Sequence, residues 1–310
     1  MALKTSLTGS YPPIKDPDIF DDSISLEQIE KDVREGIERA ISDQQTIGID
    51  YLVDGQVRND IVSLFTCKIP GYDYCRSPNI ITGKIHPAEG PIVTGDYEYA
   101  RKWSRGKPLK AHLTGPMTLA HGSMIDPDAP YSMKNPRQLI LDLAAVLAQE
   151  AKLLKKAGAE IIQIDEPALR STKDMETALE AIQIIVDQGE ISTSALHICG
   201  NITNILTEVL DKAPVAIVSI EGIWLTESRL DCVNGEYLTK RDKKLAIGCI
   251  QVANYTIDRL TKVQNFLDQI VDKIGEESIW AITPNCGMRS MPYEIAKEKI
   301  NIMVQAARSL

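Results

Sequence analysis

The sequence predicts an α/β fold, a single closed (β/α)8 barrel of the TIM type, on three observations. Short β-branched runs alternate with amphipathic helical stretches, the pattern that sets parallel strands inside and helices outside. Eight such runs can be counted, the number that closes this barrel. The 310 residues suffice for one such core, so 1–310 is read as a single domain with decorations.

The elements follow in order. A first strand, 4–8, leads to a helix opened by the capping box Ser25-x-x-Gln28, carried by Ile29, Val33, Ile37 and Ile41, and stopped by Gly48. The second strand is 51–53. Residues 61–107 exceed what a crossover helix requires and contain KIPGYDYCRSPN, so an elaborated loop over the barrel mouth is expected between strands two and three. Strand three is 109–113. Asn135 as N-cap and Pro136 at the first helical position open a long helix, with Leu139, Leu143, Val146, Leu147 and Leu154 as its apolar stripe and Gly158 as its stop. Strands at 161–164, 195–198, 216–220, 245–247 and 279–282 complete the set, with helices around 172–188, 202–212, 257–273 and 291–307.

Composition narrows the partners. With 34 Lys+Arg against 43 Asp+Glu the formal charge is −9, which offers no broad footprint for nucleic acid or an anionic membrane. A small molecule or another protein is expected instead. No run of eighteen apolar residues occurs and MALKTSLTGSYPP lacks the design of a signal peptide, so a cytoplasmic protein is expected. Six cysteines, Cys67, Cys75, Cys199, Cys232, Cys249 and Cys286, are too sparse for a disulfide scaffold. Cys67 and Cys75 have no His or Cys pair to complete a site and are read as thiols without a metal role.

Four residues carry the chemistry. His197 and Cys199 in LHICGN, Glu221 in VSIEG and Cys286 in TPNCGM each follow an apolar run, and a parallel barrel gathers such strand ends at one rim. His197 and Cys199 are two apart, so both face one side of their strand. Glu221 directly follows VAIVSI, where an ionised carboxylate is costly unless a cation meets it. One nitrogen, two sulfurs and a carboxylate suit Zn²⁺, and a displaceable Glu ligand points to catalysis rather than structure.

The motifs LTGSYP, DGQVRND, LTGPMTL, IDEPAL, LHICG, SIEG and PNCGMR, in this order, resemble the catalytic barrel of the cobalamin-independent methionine synthases over nearly the whole chain. The resemblance is to short members with one barrel. It implies a methyltransferase whose zinc, on His197, Cys199, Glu221 and Cys286, binds the thiol of L-homocysteine, which then takes a methyl group to become L-methionine. It also implies that Asp165 receives the substrate ammonium and that Thr8, Gly9 and Ser10 grip its carboxylate. Three positions depart from the folate-using members: Gln56 stands where they have Glu, Ala253 where they have a proton-delivering His, and His121 where they have a Trp beside the folate. A methyl on a folate nitrogen is hard to displace without protonating that nitrogen, whereas Co(I) leaves directly. Methylcobalamin or a methylated corrinoid protein is therefore the expected donor. The alternatives are a folate-dependent methionine synthase, a corrinoid:coenzyme M methyltransferase, whose substrate lacks an ammonium for Asp165, and a non-catalytic zinc- or homocysteine-binding regulator.

Overall fold

The structure is a computed structural model and describes residues 2–15, 24–73, 78–226 and 230–310. Cys75 lies outside them. Six strands form a continuous parallel sheet: β3 (Lys110–Thr114), β4 (Ile161–Asp165), β5 (Thr193–Ile198), β6 (Ile217–Glu221), β7 (Lys244–Ile250) and β8 (Ile279–Pro284). Two short arms, β1 (5–6) and β2 (51–52), close it. Thr5 bridges Ile282 of β8, Ser6 bridges Tyr51, and Leu52 bridges Leu109 beside β3, all in parallel. The ring is therefore complete, with each of eight strands paired on both sides.

Strand alternation divides the ring into two faces. Ala111, Leu113, Ile162, Ile164, Leu196, Ile198, Val218 and Ile220 belong to the main apolar core with the helices. The other parity places His112 opposite Gln163, Asp165 opposite His197, and His197 opposite Ser219. All five are buried, so this second face has a polar interior. A separate apolar cluster of Ala195, Ile217 and Ala246 with Trp280 lies toward the strands' amino ends, where Trp280 stacks on Tyr51 at 4.7 Å.

The helices obey their sequence signals with two differences. Helix Leu26–Ile47 starts at Ser25, whose side chain accepts the Gln28 N–H, and ends at Gly48 with φ +97°, the left-handed conformation that favours glycine. Its Ile29, Val33, Ile37 and Ile41 are buried, each worth about 1.5–3 kcal/mol. The capping box is only half made, because the Gln28 amide donates to Asp32 at 2.6 Å instead of turning back to Ser25. Asn135 makes no cap. Helix Arg137–Lys156 begins after Pro136, which already has helical angles and accepts the Ile140 N–H, while the Asn135 N–H is spent on a turn to Ser132.

The excursion between β2 and β3 is built rather than loose. It holds a one-turn helix, Ser63–Thr66, a two-residue strand Ile80–Ile81 paired with Met124–Ile125, and the crossover helix Thr94–Trp103. Its early part is tied to both flanks of helix Pro116–His121, which follows the carboxyl end of β3: Thr114 donates to the Ile61 carbonyl at 2.6 Å and Ser123 to the Tyr72 hydroxyl at 3.2 Å.

Candidate metal centre and amino-acid rim

Parallel strands put all carboxyl ends on one side, and three of the four expected metal residues meet there. His197, Cys199 and Cys286 present ligand atoms that all lie within 4.8 Å of one another. His197 is buried, its Nδ1 is 3.0 Å from the Ser219 hydroxyl, and its Nε2 has no partner. A buried ring nitrogen with no conventional hydrogen-bond partner, beside two thiols, suits a metal ligand. The sulfurs already interact: a hydrogen bond from Cys286 pulls the Cys199 thiol well below its ordinary range, and the same contact pushes Cys286 up. This soft donor set fits Zn²⁺.

Glu221 reaches the same rim but stands apart from that trio. Its Oε1 accepts the backbone N–H of Gly200 at 2.7 Å, the residue after Cys199, in a turn where Gly200 has φ +84°. On the opposite side the Asn285 N–H bonds the Ile250 carbonyl at 2.9 Å and so ties the Cys286 turn to β7.

The residues expected to hold the amino acid lie on the same rim as the metal candidates. Asp165 ends β4 one strand from His197, and burial raises its carboxyl above the usual range while His197 opposes the shift. Gln163 donates through Nε2 to both Asp165 at 2.6 Å and the Thr8 carbonyl at 2.8 Å, linking the end of β4 to the loop after β1. The Thr8 hydroxyl is committed to the Pro284 carbonyl at 2.6 Å. Gln56, at φ +44°, lays its amide oxygen over Gly9, 2.6 Å from where a Cβ would stand, so a larger residue at Gly9 would displace that amide. Asp54 accepts the Gln56 N–H at 3.0 Å, and burial pushes its carboxyl up to about 6. Ser10 faces Gly287, next to Cys286, and its hydroxyl accepts the Arg289 N–H at 3.3 Å.

Glu166, the second acid of IDEPAL, takes a different part. It is buried and accepts from the Met117 N–H at 3.0 Å, the Thr118 N–H at 2.7 Å and the Thr118 hydroxyl, capping helix Pro116–His121 from outside. Gly115 makes this possible, since a Cβ there would lie 2.1 Å from the Glu166 carboxylate. Ala253, Tyr255 and His121 are all exposed. Sequence reasoning missed Ser219, Gln163 and Lys110; Gln163 and Ser219 carried a signal, as polar side chains inside apolar strands two residues before Asp165 and Glu221, and Lys110 carried none.

Residues 3–309 match the family described as the cobalamin-independent synthase, catalytic domain. Methionine synthases of Methanothermobacter marburgensis and Methanocaldococcus jannaschii are 35% and 32% identical to the chain, each alignment covering 98% of both proteins. The solved B12-independent methionine synthase of Shewanella sp. W3-18-1, in complex with selenomethionine, superposes with a TM-score of 0.84 at 23% identity, covering 99% of this chain and 97% of that one, and supports the barrel fold. With a whole-length family match and a donor set that fits zinc, the chain belongs to the cobalamin-independent synthase catalytic-domain family and is a zinc-dependent methyltransferase of methionine-synthase type.

Proposed function

We propose that residues 1–310 form one catalytic domain that makes L-methionine by methylating the thiolate of L-homocysteine, and that methylcobalamin or a methylated corrinoid protein supplies the methyl group. The observation that carries the substrate is the buried carboxylate of Asp165 beside a His/Cys/Cys centre, an anionic pocket within an amino acid's reach of a thiol site. His197, Cys199 and Cys286 hold zinc, with Glu221 as the fourth and displaceable ligand. Bound zinc supplies the charge that removes the thiol proton near neutral pH, where a free aliphatic thiol is mostly protonated.

The protein's own groups do the rest. Asp165 takes the substrate ammonium, which offsets the cost of its burial. The Gly9 and Ser10 backbone and the Ser10 hydroxyl take the carboxylate, since the Thr8 hydroxyl is already spent on Pro284. Gln56 accepts from the ammonium without charge, and Asp54 behind it adds the negative charge that an amide lacks. Held at both ends, the amino acid has its sulfur directed toward the cysteine pair.

The donor reading rests on the rim after β7. Residues 251–257 contain no His, Asp or Glu, and Tyr255 is 59% exposed, so no buried acid of this segment stands ready to protonate a departing folate nitrogen. A folate donor is the second reading, favoured by the family's cobalamin-independent description. Coenzyme M as acceptor would leave Asp165 without a cation. Among the described residues no helix is long and apolar enough to cross a membrane, in keeping with a cytoplasmic setting as part of this proposal.

Anaerobic methionine formation from homocysteine by zinc-loaded protein, with methylcobalamin and methyltetrahydrofolate in parallel, tests the reading. Turnover with the corrin alone is expected. Turnover with folate alone overturns the donor assignment, and failure of every methyl donor, a methylated corrinoid protein included, overturns the reaction.

A further inference from the structure

A lysine lies beneath the amino-acid rim, and neither the metal nor the methyl transfer accounts for it. Lys110 is 1% exposed, and its Nζ donates to the Leu7 carbonyl at 2.8 Å and to Gln163 Oε1 at 2.6 Å, with the Thr8 carbonyl at 3.4 Å. The Trp280 ring centre is 5.7 Å away. A lysine has only donors, so it fixes the Gln163 amide with oxygen toward Nζ and nitrogen toward Asp165 and Thr8. Without that cation the amide could rotate and present its oxygen to the Asp165 carboxylate.

We propose that Lys110 is the positioning residue of the amino-acid site. Through Gln163 it aims Asp165 at the substrate ammonium, and through the Leu7 and Thr8 carbonyls it holds the strand end that presents Gly9 and Ser10 to the carboxylate. One buried cation thus bears on both grips, alongside His112, whose Nε2 lies 2.7 Å from the Thr8 carbonyl.

A filler role explains the position less well. The neighbouring interior cluster is filled by Ala195, Ile217, Ala246 and Trp280, which carry no charge to desolvate. Burying an ammonium is costly, and burial pushes Lys110 down to about 7, with Asp165 as the charge that opposes the shift. The two groups therefore support each other across Gln163.

The inference rests on the homocysteine reading, and the test separates the two. Calorimetry on zinc-loaded wild type, Lys110→Met and Gln163→Leu would compare L-homocysteine with 1-propanethiol, the same thiol without ammonium or carboxylate, while zinc content and far-UV circular dichroism are monitored. Wild type is expected to prefer homocysteine. Both variants should weaken homocysteine binding about tenfold or more, in line with loss of a buried charged hydrogen bond, and leave the propanethiol affinity within about twofold. Gln163→Leu keeps the lysine and so decides the matter if Lys110→Met does not fold. A wild type that does not distinguish the two thiols refutes the substrate reading and this inference with it. A preference that survives in a folded Lys110→Met or in Gln163→Leu, or a loss equal for both thiols, refutes the positioning role alone.

Discussion

The Ser219 hydroxyl lies 3.0 Å from Nδ1 of His197, one strand across the barrel interior. For Nε2 to give its lone pair to zinc, Nδ1 must carry the proton, and Ser219 is the acceptor that favours this tautomer. The same contact fixes the ring plane. Ser219→Ala should lower zinc affinity about 10–100-fold while leaving the fold intact, as expected for an outer partner of a ligating histidine. Competition with a chromogenic chelator measures it, and an affinity equal to wild type would show that the ring needs no such support.

Cys286 contributes to the centre in two ways. It offers a candidate ligand sulfur within the 4.8 Å trio, and its hydrogen bond favours the thiolate of Cys199. Cys286→Ala should therefore abolish zinc retention and methyl transfer together, because the remaining donors include only one soft sulfur. Metal analysis after gel filtration checks this, and a variant that keeps both its zinc and its activity would remove Cys286 from the ligand set.

How much of this was legible in the sequence depended on which way a side chain faces. The outward residues of β3 to β6 are apolar and announce strands, so the barrel could be counted before its geometry was known. β1 and β2 were legible for the same reason, although each makes only short bridges. Of the inward residues only those at strand ends, His197 and Asp165, were legible; Lys110, Gln163 and Ser219 deeper in were not. Lys110 in LKAHLT reads equally well as a solvated lysine, and only closure of the ring places it inside. Glu221 shows the other limit: strand-end reasoning put it on the rim, but its bond to the Gly200 N–H depends on a turn with positive φ that no residue pattern specified. Asn135 failed as a cap because the helix starts one residue later than expected, with Pro136 in the cap position and its carbonyl accepting the Ile140 N–H.

Glu166 should make stability depend on pH. Burial pushes its carboxyl from the ordinary 4.5 up to about 7, against three hydrogen bonds from Met117 and Thr118. Between those values the folded protein holds a proton that the unfolded chain has released. The contribution of this group is thus fully present below about pH 4.5 and is lost as pH rises through about 7. Relative to Glu166→Gln, which cannot titrate, the wild type should lose on the order of 3 kcal/mol across that window. Urea midpoints of both proteins from mildly acidic to neutral pH give the difference, and a flat or rising difference would mean that the carboxylate is ionised throughout.

The crossover helix Thr94–Trp103 has no capping side chain of its own, yet its first turn is satisfied by Glu150 from helix Arg137–Lys156. That buried carboxylate accepts the Ile92 N–H at 2.9 Å, the Val93 and Thr94 N–H groups at 2.8 Å and the Thr94 hydroxyl at 2.8 Å. A negative group at a helix start also opposes the positive end of the helix dipole. Gln in its place has one acceptor oxygen and an amide that can only donate, so at least one backbone N–H would be left facing another donor. Glu150→Gln should therefore cost about 2–3 kcal/mol, within the range for charged hydrogen bonds replaced by unsatisfied ones. The loss should be local as well as global, with faster hydrogen exchange at the amides of residues 92–94 than at β4 or β5. Wild-type exchange at those three amides would show that the excursion between β2 and β3 is anchored by its packing alone.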